Sequence, residues 1–208
     1  MTWNMALSDF NFRHLIMITK NNPAVLVIDM VKDYLDPRRN LKIIPYARAI
    51  VNPIKHLTST FRKNGWPVIF STDSFKADDF IFSAGMEPES LSGTEGAQLI
   101  DELERKPGDL WLPKPRFSAF FQTGLAEYLK EREITICAVT GIATPVCVLT
   151  TAFDGICYNF RSVIVSDCSA SASEKIHKDT LNLYRRTALY PLLKVSTSSE
   201  LLSDLGVD

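Results

Sequence analysis

The chain has 208 residues, 46% of them hydrophobic and 23% charged, with a formal net charge of −1. That balance describes a globular chain long enough for one large domain with a full core, and it excludes the basic character of a partner for nucleic acid or for an anionic membrane. No apolar run approaches the ~20 residues that span a bilayer; Met1 to Asn22 shows no secretory signal pattern, so a cytoplasmic location is expected.

Met1 to Lys20 carry Phe10, Phe12, Leu15 and Ile16 at loosely helical spacing, and residues 1–22 are expected to form an arm on the domain or on a second subunit. After Asn21-Asn22-Pro23 comes Ala24-Val25-Leu26-Val27-Ile28-Asp29, an apolar run ending in an acid. An aspartate at the carboxyl end of a buried parallel strand lies where open α/β sheets place their ligands; the alternative is a cap or loop acid. Asp33 to Pro37 reads as a loop. A helical pattern then runs from Tyr46 to Asn64, with Pro53 inside it implying a kink or break and Gly65 as its stop. Pro67 to Asp73 forms the next strand, again polar at its carboxyl end. Ser74 to Thr94 have little periodicity and read as a long excursion above the sheet that shapes a pocket. A short helix at Leu99–Leu103 and a short strand at Leu110–Lys114 follow, then an amphipathic helix over Phe121–Lys130.

The next stretch organises the chain. Ile134 to Val139 is a continuous apolar run of strand length, suited to a strand buried on both faces. The pattern breaks at Gly141, Thr144 stands where an N-cap belongs, and Pro145 falls at the first helical position. Cys147 therefore sits in the first turn of the departing helix, where unpaired backbone N–H groups and the helix dipole would favour a thiolate. The alternative is a buried structural cysteine. Ser162 to Asp167 makes another strand, Ser173 caps a helix through Ala188, and Val195 lies in a last extended piece. Strands alternating with helices predict one α/β domain over residues 1–208, a three-layer, doubly wound, mostly parallel sheet of about six strands with helices on both faces. The cysteines, Cys137, Cys147, Cys157 and Cys168, form no C-x-x-C pair, so no disulfide framework is expected, and Cys137, Cys157 and Cys168 are assigned to packing. His14, His56 and His177 are scattered and support no zinc site; His177, among charged neighbours, reads as a surface or capping residue.

Asp29, Lys114 and Cys147 each close or follow a strand at its carboxyl end, so a parallel sheet brings all three to one edge. A thiol that attacks a carbonyl must lose its proton, and a nearby carboxylate can accept it. A lysine between them favours both anions. With no histidine placed to serve as base, the carboxylate takes that role.

The motifs Val25-Leu26-Val27-Ile28-Asp29 with Asp33-Tyr34, Ser92-Gly93-Thr94-Glu95-Gly96-Ala97, Lys114-Pro115-Arg116-Phe117-Ser118-Ala119-Phe120 with Thr123, and Thr140-Gly141-Ile142-Ala143-Thr144-Pro145-Val146-Cys147-Val148 occur in order. With Thr151-Ala152 and Asp167 they span Ala24 to Val195, and together they resemble the isochorismatase-like family of cysteine hydrolases. The resemblance implies Cys147 as nucleophile, Asp29 as general base and later acid, and Lys114 as the charge holding the pair. It also implies a cis peptide at Ile142-Ala143 and an oxyanion hole from the Ala143 and Cys147 N–H groups, in a homo-oligomer (dimer or tetramer). The expected reaction is hydrolysis of a small amide, ureide or carbamoyl compound through a thioester, with no cofactor. Where family members that bind a metal have an Asp-x-His motif, this chain has Asp73-Ser74-Phe75, so no catalytic metal is expected and Asp73 is expected to order the loop or touch substrate. Where the family often has glutamine, Val31 suggests a less polar pocket wall. Tyr34, Asp73, Phe75 and Phe120 are candidate substrate-binding residues, with Trp111 and Phe117 as further aromatic candidates. Two other functions stay open: vinyl-ether hydrolysis of the isochorismatase kind, which needs no thiol, and a catalytically idle subunit acting as a scaffold.

Overall fold

The structure, a computed structural model, describes residues 21–207, so the expected arm at Met1–Lys20 lies outside the described residues. Six strands form one parallel sheet: β1 (Pro23–Ile28), β2 (Val68–Asp73), β3 (Leu110–Lys114), β4 (Ile136–Ile142), β5 (Arg161–Ala170) and β6 (Leu193–Ser196), in the order β3-β2-β1-β4-β5-β6. β1, β2 and β4 are buried at every position, which is why their sequences are apolar runs rather than alternations. Along β1, Val25 and Val27 face one core and Ala24, Leu26 and Ile28 the other.

Helices α1 (Lys32–Leu35), α2 (Ile44–Ala49) and α3 (Val51–Lys63) lie between β1 and β2; α4 (Leu125–Glu131), α5 (Leu149–Cys157), α6 (Glu174–Tyr184) and α7 (Ser198–Asp204) follow in order. Ile54, Leu57 and Phe61 of α3 share one core with Leu201 and Leu202 of α7. Leu125 and Leu129 of α4, Ala152 of α5 and Leu181 of α6 fill the other. This is the three-layer, doubly wound arrangement. The winding reverses between β1 and β4, and a crevice opens beyond the strand ends at such a reversal. No helix among the described residues is long and apolar enough to cross a membrane.

Several boundaries differ from the expectations, each for a local reason. The helix expected over Tyr46–Asn64 is two helices, parted at Ile50. Pro53 has no N–H to give the Ala49 carbonyl, so it stands in the first turn of α3, where none is needed. Tyr34 lies in the short helix α1 rather than in a loop. α4 starts at Leu125, because Gln122 (φ 56°) and Gly124 (φ 75°) hold the preceding residues in left-handed turns. β4 runs through Gly141 to Ile142. Thr144 is not the cap: Ala143 is, and the Thr144 hydroxyl instead donates to the Ala170 carbonyl at 3.0 Å. Ser173 does cap α6, accepting the Ile176 N–H at 3.2 Å. The terminal helix α7, with a capping box of Thr197 and Glu200, was not anticipated.

Candidate active site

Three neighbouring strand ends deliver three charges to the crevice. Asp29 leaves β1 with a left-handed φ of 54°, its N–H still donating to the Ser71 carbonyl at 2.9 Å. Asp73 ends β2, and Lys114, its partner in register, ends β3. The Lys114 ammonium lies 2.9 Å from Asp29 Oδ2 and also ion-pairs with Asp73. Asp29 Oδ1 accepts the Asp73 N–H at 2.7 Å, and Tyr34 donates its hydroxyl to Asp73 Oδ2 at 2.8 Å. All three charged side chains are buried. On the other side of β1, Gly141 lets β4 approach. A Cβ there would stand 2.1 Å from the Ile28 carbonyl oxygen, at a φ of 98°, so only glycine fits.

β4 then carries the remaining groups. The Ile142–Ala143 peptide bond is cis, and Thr144–Val148 form a single π-helical turn before α5. In that turn the Ala143 carbonyl accepts the N–H groups of Val146 (3.0 Å) and Val148 (3.3 Å). An α-helical turn would have given that carbonyl to the Cys147 N–H; here Val146 and Val148 take it, and single π-turns of this kind are frequent at functional sites. Cys147 is 7% exposed, and its sulfur lies within 4.8 Å of carboxylate oxygens of both Asp29 and Asp73.

Burial dominates the electrostatics. Desolvation and the Asp73 carboxylate raise the Asp29 carboxyl to about 7, against the pull of Lys114. Its Oδ2 faces the Lys114 ammonium at 2.9 Å, and a carboxylate oxygen with more than one acceptor site can still take a proton. Burial also pushes the Cys147 thiol well up, with Asp29 adding and Lys114 opposing. Burial thus works against the thiolate that the helix-dipole argument favours, and Lys114 works for it. Burial acts to lower Lys114, but Asp29, Cys147 and Asp73 together hold it above its ordinary range, so it stays charged. Burial and the Asp73 charge raise the Tyr34 phenol, which keeps it a donor.

Asp29 and Cys147 open into a cavity of about 360 Å3 that Tyr34, Asp73, Phe75 and Phe117 also line. Phe75 is pinned by its backbone, which pairs with Ser90 and Ser92 at the root of the excursion. Three aromatic and apolar expectations fall elsewhere. Phe120 is stacked between Phe160 and Tyr158 in the core under α5. Trp111 packs on the opposite core and donates to Thr72 Oγ1 at 3.0 Å. Val31 bridges to Leu99 and does not form a pocket wall. Cys157 is exposed rather than packed, while Cys137 and Cys168 are buried. His177 is half-buried, its Nδ1 2.8 Å from Oγ1 of Thr144 in the π-helical turn. Sequence reasoning missed Asp73 as a second carboxylate on Lys114, although the strand-end rule that singled out Asp29 applies equally to it. It also missed Ile81, Met86 and Glu89, which line the cavity from the unpatterned excursion.

Asp29, Asp73 and Cys147 are the group of potential metal donors found among the described residues. They do not fit a divalent ion, because it would have to share both carboxylates with the buried Lys114 ammonium. Phe75, two residues past Asp73, is apolar and packs edge-on against Phe82.

Known proteins share this fold. Residues 23–196 match the family model described as the isochorismatase domain. An isochorismatase-like hydrolase from Alkaliphilus metalliredigens superposes with a TM-score of 0.80 at 27% identity, covering 88% of this chain and 99% of that one. N-carbamoylsarcosine amidase from Thermoplasma acidophilum gives 0.73 at 30% identity, covering 85% and 96%. Nicotinamidase from Bacillus subtilis gives 0.72 at 29% identity, covering 84% and 99%.

Proposed function

The chain belongs to the isochorismatase family, and on that footing we propose that it is a metal-independent cysteine hydrolase, acting as one domain, that cleaves the C–N bond of a small amide, ureide or carbamoyl substrate through a thioester. One observation carries this reading: the Cys147 thiol and the Asp29 carboxylate lie within 4.8 Å of each other and line the same cavity. A base whose pKa is near 7 can both take and return a proton at neutral pH.

As the sulfur attacks the carbonyl carbon, the thiol proton passes to Asp29 Oδ2 and the C=O electrons move onto oxygen. The N–H groups of Cys147, in the π-turn, and of Ala143, at its cap, supply the oxyanion hole. Lys114 holds Asp29 in place and favours its anion. Collapse of the tetrahedral species breaks the C–N bond, and Asp29 gives its proton to the departing nitrogen. Water, deprotonated by the same carboxylate, then hydrolyses the thioester, releasing the acid and restoring the thiol.

Vinyl-ether hydrolysis needs no thiol and leaves Cys147 without a task. A scaffold would have no use for a carboxyl poised near neutrality. Ammonia release from a panel of amides tests the reading: activity on at least one is expected, and Cys147→Ala and Asp29→Asn should each abolish it. Turnover that survives both substitutions removes the proposal. Iodoacetamide at neutral pH should label Cys147 ahead of Cys137 and Cys168, and a Cys147 that stays unlabelled favours the scaffold.

A further inference from the structure

The family shares its chemistry across different substrates, so specificity must come from the walls of the cavity. Those walls are apolar. Leu41 and Ile43, Ile81 and Met86 of the excursion, and Phe75 and Phe117 line the cavity. Met86 and Phe117 are 45% and 40% exposed at its mouth, and exposed apolar surface rimming a cleft marks a ligand groove.

The polar groups of the lining are nearly all committed. Asp29 and Asp73 are tied to Lys114, to each other and to Tyr34. Glu89 is held by Arg39 at 2.8 Å, and burial raises its carboxyl above the usual range. Three carboxylates thus face the cavity, and the cation on its wall, Lys42, is exposed to water. A substrate carboxylate would lose hydration without a buried cation to replace it and would meet like charges.

We propose that the site takes an uncharged primary amide with an apolar acyl group, aliphatic or aryl, and discriminates against ureido and carbamoyl acids that carry a carboxylate. This rests on the hydrolase reading above and narrows it. Each methylene moved from water to the wall is worth about fourfold in kcat/KM, from ~0.8 kcal/mol. Over the four methylenes between acetamide and hexanamide that is about two orders of magnitude.

The test is ammonia release by the full chain from acetamide, butanamide, hexanamide, benzamide, adipamic acid and N-carbamoylglycine. Adipamic acid is hexanamide with a terminal carboxylate, so the pair isolates the charge. The expected result is a rising aliphatic series, with hexanamide at least tenfold better than adipamic acid. Met86→Lys, a change at an exposed wall position, should raise adipamic acid relative to hexanamide by about tenfold. A flat series, or preference for either anionic probe, overturns the inference while leaving the hydrolase reading standing if Cys147→Ala abolishes that turnover. Release from none of the probes overturns the inference, while turnover of another amide in the wider panel that Cys147→Ala abolishes keeps the hydrolase reading.

Discussion

Asp29→Asn should make the protein more stable as it destroys activity. The Asp29 carboxyl is raised from 3.8 to about 7, chiefly by burial and then by Asp73. Between those two values the folded chain holds a proton that the unfolded chain has lost, so stability falls as pH rises through this window. Below about pH 4 the penalty is absent, and above about pH 7 it is complete. At about 1.4 kcal/mol per pH unit the ceiling is about 4 kcal/mol. Asparagine has the shape of the neutral carboxyl, its oxygen can keep the Asp73 N–H, and it tolerates the left-handed φ at this position. Its amide nitrogen facing the Lys114 ammonium offsets part of the gain, so about 1–3 kcal/mol is expected at about pH 8. In urea this moves the unfolding midpoint up by about 0.5–1 M. The gap between variant and parent should shrink on lowering the pH to about 5 and vanish near 4. A variant no more stable than the parent at about pH 8, or a gap that does not change with pH, would refute the argument that the ionised Asp29 is held at a cost.

The same carboxyl predicts the rate profile: kcat/KM should fall as pH drops through about 7, well above the ordinary carboxylate range, because the base must be ionised to take the thiol proton. Lys114→Met leaves Asp29 and Asp73 together without their cation; it should destabilise by about 3–5 kcal/mol at neutral pH and move that limb of the profile to higher pH. Gly141→Ala forces a side chain against the Ile28 carbonyl oxygen, and denaturation should show a loss of at least about 2 kcal/mol. Thr144→Val strands the Ala170 carbonyl and the His177 ring; a loss of about 1–3 kcal/mol is expected, with a drop in kcat as the nucleophile turn loosens.

What could be read from the sequence and what could not divide along a physical line. Strands buried on both faces write themselves as unbroken apolar runs, so four of the six strands, and with them the parallel sheet, followed from Val25–Ile28, Val68–Phe70, Ile136–Val139 and Val163–Val165; the half-buried edge strand β3 was read from Leu110–Leu112 and β6 from the extended piece at Val195. Because parallel strands end at one edge, the meeting of Asp29, Lys114 and Cys147 followed from order alone. The environment around them did not. That Asp73 shares Lys114 depends on the register of β2 with β3, which no local pattern encodes. The opposing push of burial on the Cys147 thiol depends on how deeply it is enclosed, and the helix-dipole argument carried no measure of that enclosure. Phe120 and Phe117 are three residues apart in one motif, yet one is stacked in the core and the other lines the cavity. The excursion from Ser74 to Thr94, without periodicity, hid Ile81, Met86 and Glu89. The charged strand ends Asp29, Asp73 and Lys114 are thus positions that the chain spells out, whereas the cavity walls are built from loops whose path is settled by tertiary contacts.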